Sequence, residues 1–325
     1  MSEEKKDNTL LIMAIVGSLF VLTTSLLTFL SSPRGAALRD EVISIQQVLH
    51  DGIVVGTVGS NEEEEIEEFK PFARYLASEL GIQDAEASVV VTESVLEMAK
   101  KLRLGEVDIY IDSPVMTYIA DELSGSHPIA NRWKKGMEKY NSVLFVRADG
   151  NLYSIHDLAG FVVAFEEVNS TSGHYLPKGM LLQQGLSLVE MENKNDNHSL
   201  ASTAYFFSGN TAMVYQDVLL GIADVGAINE AELRELAGKN FDKIRIIGSS
   251  PEIYRHILTV SSNFDVSHHR ELEGILLEMS NTTDGRAALK DFGNTTKFGI
   301  FPNGAIDAYE GISELVNLVL PEVVF

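Results

Sequence analysis

Apolar and polar positions along this chain follow two periods that alternate. Short apolar runs of strand type lie at 53–58, 88–91, 107–111, 142–146, 161–165, 223–228, 244–247 and 257–260. Between them the apolar positions space out to helical intervals. Ile66, Phe69, Phe72, Ala73, Leu76 and Leu80 share one helix face, and similar stretches run over 93–104, 210–220 and 230–237. Strands alternating with helices predict parallel sheets covered on both faces, an α/β architecture. Asn61 and Glu64 have capping-box spacing at the start of the first helix. The acidic run Glu62–Glu65 suits a helical first turn, where the dipole favours negative charge; a calcium loop would need an accompanying glycine that is absent. Pro71 predicts either a kink in this helix or a later start.

A different pattern precedes these elements. Residues 1–8 form a polar tail, and 9–30 carry no charge, with Arg34 the next one. That length predicts a membrane-spanning helix, assigned to 9–31, with a connector over 32–50. Ala36-Ala37 is a poor cleavage site, so the segment reads as an uncleaved single-pass anchor with the soluble part in the periplasm or outside the cell. Lys5 and Lys6 before the span and Arg34 and Arg39 after it leave its orientation open.

Composition then narrows the function. A net charge of −22 argues against nucleic acid, since no broad basic surface is available to displace counterions. With no cysteine, disulfides, thiol catalysis and cysteine-ligated zinc are excluded. The scattered histidines, including the adjacent His268-His269, predict no metal site, and no cofactor motif occurs. No Gly-x-Ser-x-Gly elbow, Gly-rich nucleotide loop or His-Glu-x-x-His is present, so an enzyme is not expected.

One stretch carries candidate chemistry. After the apolar run 161–165 come Glu166, Glu167, Val168, Asn169, then Ser170, Thr171, Ser172 and Gly173, with Pro177 near the start of a helix-like segment. Strand, hydroxyl-glycine turn and helix can hold an anion, because the first backbone N–H groups of a helix lack partners and the hydroxyls add donors. The same residues also make an ordinary helix cap. Asp112-Ser113-Pro114 ends another strand, where Ser113 can cap a helix opened by Pro114. Asn229 ends a strand at a comparable height, and Tyr205 lies in an apolar-aromatic run as either core or cleft. Arg132, Lys134, Trp133, Arg255 and His256 each fit a cleft, a solvated face or packing. Gly105 and Gly221 sit in an echoed helix-Gly-strand pattern that calls for left-handed backbone and suggests two similar units.

The order of these motifs resembles the periplasmic phosphate/phosphite/phosphonate-binding proteins of ABC transporters, the PhnD-like family. The similar stretches are 72–81, 105–114, 132–146, 157–160, 165–173, 221–228 and 295–298. The resemblance implies a two-lobed periplasmic-binding-protein type II fold with a ligand cleft between the lobes. Lobe 1 is expected to span 51–141 and 254–325, lobe 2 to span 142–253, with strands 142–146 and 257–260 crossing between them. It further implies that Ser170, Thr171, Ser172 and the Gly173 amide hold the oxygens of a phosphonate- or phosphate-like oxyanion, and that Asp112 and Ser113 face them. Asp112 stands where family members have a small residue, and Glu93-Ser94 where they have Asp-Tyr; the carboxylate could instead accept from an aminoalkyl group on the ligand. The implied partner is an ABC-transporter permease. A membrane sensor kinase, or an enzyme acting on a phosphorylated small molecule, is the alternative.

Overall fold

The computed structural model describes residues 52–82, 87–192, 194, 196–264 and 266–320. The segment expected to span the membrane lies outside the described residues. Among the described residues no helix is long and apolar enough to cross a membrane.

The strands form two six-stranded sheets. In the first, β1 (Ile53–Val58) pairs in parallel with β2 (Ala87–Thr92) and β3 (Ile109–Asp112). Beyond β3 the sheet continues through antiparallel β13 (His256–Val260), β4 (His127–Lys134) and β14 (Thr295–Gly299). The second sheet is centred on parallel β10 (Val225–Asn229), β7 (Val162–Phe165) and β9 (Thr203–Phe207). Short β8 (Leu188–Glu190) extends it on one side, and antiparallel β6 (Ser142–Arg147) and β11 (Ile244–Ser249) on the other. The α/β reading thus holds for both halves, but the expected parallel pairing covers only part of each sheet: three of five pairings in the first and two of five in the second are antiparallel, which local periodicity does not distinguish.

The first helix, α1 (Glu62–Glu79), begins where its capping box begins. Glu64 N reaches Asn61 Oδ1 at 3.5 Å, and Asn61 Nδ2 donates to Glu64 Oε2 at 3.0 Å. Pro71 lies inside the helix, so its start is not delayed. Helix α2 (Val95–Leu104) ends on Gly105 at φ 72°, and Gly221 adopts φ 71°, the left-handed backbone expected of both. Helix α3 (Pro114–Ser124) follows β3 directly.

The chain passes between the sheets differently from expectation. Strands 142–146 and 257–260 are full members of one sheet each. The passage is made by a two-stranded ribbon just beside them, β5 (Lys139–Tyr140) paired with β12 (Ile253–Tyr254). The last helix, α9 (Ser313–Val319), also departs from the expected grouping, since it packs on α4 (Leu176–Gln183) of the second half. Gly179 makes that approach possible: a Cβ there would stand 2.6 Å from the Leu315 carbonyl oxygen. Leu315, Val316 and Val319 then share one apolar core with Leu176 and Leu181, and with Val115 and Ile119 of α3.

Candidate ligand-binding site

The carboxyl ends of β1, β3 and β7 meet around a cavity of about 650 Å³, the place where open α/β sheets collect ligands. From the first half it is lined by Val58, Gly59, Ser60, Glu65, Glu93, Asp112, Met116, Lys134 and His256. From the second half come Glu166, Glu167, Asn169 and Ser170. Five carboxylates therefore face one ammonium group.

That ammonium is already engaged. Lys134 Nζ donates to Glu68 Oε1 at 3.1 Å, and Arg132 Nη2 donates to the same oxygen at 2.8 Å. Burial pushes the Glu68 carboxyl up, but Lys134 and Arg132 outweigh it and hold the group below its ordinary range. Burial lowers Lys134, and the neighbouring Arg132 adds to the effect. Arg132 itself is 1% exposed and does not reach the cleft. His256 does reach it; burial, then Arg255, Arg132 and Lys134, push its imidazole well below the usual range, so it is neutral. Its Nδ1 has no hydrogen-bond partner among the described residues. Arg255 instead sits over the Tyr140 ring of the ribbon and meets Glu232 of the second half at 3.6 Å.

The eight residues singled out from sequence separate into distinct settings. Asp112 and Ser170 line the cavity. Asp112 Oδ2 accepts from Val58 N and from the Tyr110 hydroxyl, each at 3.1 Å, and Oδ1 accepts from Ser113 N at 2.6 Å. Burial raises the Asp112 carboxyl, against the pull of these bonds. Ser113 precedes α3 without a side-chain cap bond. Ser170 caps the turn Thr171–Tyr175, its Oγ accepting from Gly173 N at 2.9 Å. Thr171 is buried, and its Oγ1 accepts from Val115 N at 3.3 Å, joining the two halves. Ser172 is buried, and its carbonyl accepts from Ser142 Oγ at 2.5 Å. Asn229 caps the helix α6 (Glu230–Ala237), with Oδ1 accepting from Ala231 N at 2.7 Å; its buried Nδ2 has no partner among the described residues. Tyr205 is core: its hydroxyl accepts from Lys178 Nζ at 3.0 Å and donates to Glu190 Oε2 at 3.1 Å.

Sequence reasoning assigned no role to Glu65, Glu166 or Glu167. Glu166 and Glu167 stand inside the quoted motif, and their position between a strand end and the hydroxyl turn was the available signal. In the sequence Glu65 reads only as a first-turn helix residue. Burial, with Glu68 and Asp112 adding repulsion, raises its carboxyl to about 7. The folded chain therefore holds this proton where the unfolded chain, near 4.5, has lost it. Stability is expected to fall as pH rises from about 4.5 to about 7 through this group and to level off above. Glu65→Gln should be stabilising at pH 8 and close to neutral at pH 4.5. Denaturant midpoints of both chains across that range check it, and parallel curves would show that Glu65 titrates normally.

Two half-sheets joined by a short ribbon around a cleft define a two-lobed α/β periplasmic-binding-protein fold. XAC2383 from Xanthomonas citri, solved bound to ATP, superposes with a TM-score of 0.74 at 23% identity, over 83% of this chain and 98% of that one. PhnD1 from Prochlorococcus marinus, solved with methylphosphonate, gives 0.59 at 20% identity over 83% and 98%. A binding component of a phosphonate ABC transporter from Pseudomonas aeruginosa gives 0.53 at 16%, over 77% and 82%. The chain belongs to the family of periplasmic substrate-binding proteins of phosphonate ABC transporters, whose model matches residues 55–301. Members are binding proteins and not enzymes, and their substrate-binding part works outside the cytoplasm.

Proposed function

We propose that this chain captures a small phosphonate-type ligand bearing an ammonium group in the cleft between its halves, and presents it to the permease of an ABC transporter. The observation that carries the ligand reading is the lining of five carboxylates against a single lysine that is already paired with Glu68. Like charges about 6 Å apart repel by about 3 kcal/mol at an effective dielectric near 20, so a bare dianion is disfavoured here. An ammonium group reverses the sign of those terms. Asp112 is not the acceptor, because its oxygens already take three donors. The carboxyl groups of Glu65, Glu93 and Glu167 line the cleft with no side-chain hydrogen bond among the described residues, and they are the acceptors.

Calorimetric titration of the full chain with phosphate, phosphite, methylphosphonate and aminoethylphosphonate tests this. Aminoethylphosphonate should bind at least about tenfold more tightly than methylphosphonate. Equal affinities, or a preference for the bare oxyanions, would remove the ammonium from the reading. We further propose that residues 9–31 anchor the protein in the membrane, on the strength of the uncharged span alone. A mature chain whose sequenced N-terminus falls near residue 38 would show the segment to be a cleaved signal.

A further inference from the structure

Glu166 follows β7 at the edge of the cleft. Its Oε2 accepts from Ser170 Oγ at 2.7 Å, and its Oε1 accepts from Thr211 Oγ1 at 2.5 Å. A hydroxyl has one proton to donate. Ser170 gives its proton to Glu166 while its oxygen accepts from Gly173 N. Thr211 Oγ1 also lies 3.4 Å from Glu232 Oε2, and the shorter contact to Glu166 takes the proton. Neither hydroxyl can donate to a ligand while Glu166 holds it.

The backbone of Glu166 is held as well. Its N–H donates to the Gly173 carbonyl at 3.0 Å, and its carbonyl accepts from Gly209 N at 2.8 Å. Its Cβ lies so close to Gly173 that a side chain there would come within 2.3 Å of it. The carboxylate is built into the turn. Across the cleft Asp112 occupies Val58 N, Ser113 N and the Tyr110 hydroxyl in the same manner. Both halves thus present donors that a resident carboxylate already fills.

We propose that Glu166 is a specificity-determining residue of the cleft: it occupies the Ser170 and Thr211 hydroxyls, and an oxyanion must displace it to gain them. This rests on the reading of the cleft as the ligand site. A bare oxyanion competes with Glu166 for donors and is repelled by it. A ligand with an ammonium group is attracted by the Glu166 charge and need not take those hydroxyls, so Glu166 sets the preference between the two kinds of ligand.

The test is calorimetric titration of the full chain with methylphosphonate and aminoethylphosphonate, in the wild type, Glu166→Gln, Ser170→Ala and the double variant. Glutamine keeps the shape and removes the charge. Glu166→Gln is expected to tighten methylphosphonate binding at least about tenfold and to shrink the preference for aminoethylphosphonate by a similar factor. Ser170→Ala should change methylphosphonate affinity less than about threefold in the wild type, and about tenfold once Glu166 is neutral. Melting curves establish that each variant folds. Should Glu166→Gln not fold, Ser170→Ala alone decides: a loss beyond about tenfold would mean Ser170 already donates to the ligand, which overturns the proposal. Binding by a folded Glu166→Gln with unchanged preference overturns the proposal and leaves the cleft reading standing. If neither the wild type nor the folded variant binds either phosphonate, the cleft reading falls and the proposal with it.

Discussion

Replacing Arg132 by alanine is expected to destabilise the protein by about 3–5 kcal/mol, the usual effect of removing one partner of a buried ion pair. The guanidinium is almost wholly enclosed at 1% exposure. Its Nε donates to Thr295 Oγ1 at 2.8 Å, and its Nη2 donates to Glu68 Oε1 at 2.8 Å and to the Phe292 carbonyl at 2.9 Å. Its face stacks on the Phe292 ring, 3.4 Å from the centroid. Burial lowers the group to about 10, with Glu68 opposing, so it stays charged at neutral pH. Alanine leaves a cavity, a Phe292 carbonyl with only its Thr295 donors and a Glu68 carboxylate with Lys134 alone. For a domain of this size the melting temperature should drop by roughly 10 °C. Arg132→Lys should fall between the two, because an ammonium keeps the charge and loses the planar fork. Denaturant unfolding at pH 7 measures the series. A change below about 1 kcal/mol would mean that the charge is solvated after all.

The second large effect is expected at Gly173. A Cβ there would meet Glu166 Cβ at 2.3 Å, Glu166 Oε2 at 2.5 Å and Ser170 Oγ at 2.9 Å. Two of these contacts are with atoms fixed by the backbone or by the cap, so the neighbours cannot simply turn away. Gly173→Ala should therefore cost about 2–4 kcal/mol, combining overpacking with loss of the Ser170 cap. The clash lies chiefly with the Glu166 side chain, so a Glu166→Gly background should recover part of the loss. Thermal melts of the single and double variants read it. Absence of any recovery would place the strain in the backbone of the turn.

The local layer and the family pattern are legible in the chain alone. Asn61 caps its helix, Ser170 caps the turn, and Gly105 and Gly221 take left-handed backbone, because each outcome depends on a few consecutive residues. The two α/β units were legible from alternating periods, as were the place of Asp112 at a strand end and of Ser170 in the turn after one, and both line the cleft. Which donors meet which acceptors is settled by folding. Arg132 sits in a run of charges that reads equally as a solvated face, and Glu68, Phe292 and Thr295, far away along the chain, make it core. Thr171 and Ser172 look alike with Ser170, but packing against Val115 and Ser142 removes them from the cavity. The last helix carries no local mark of the half it joins; a missing side chain at Gly179 admits it to α4. Glu166 reads as one more acidic residue until the fold brings Ser170 and Thr211 to its two oxygens. Hydrogen-bond partners are chosen by proximity in space, and periodicity along the chain carries no record of that choice.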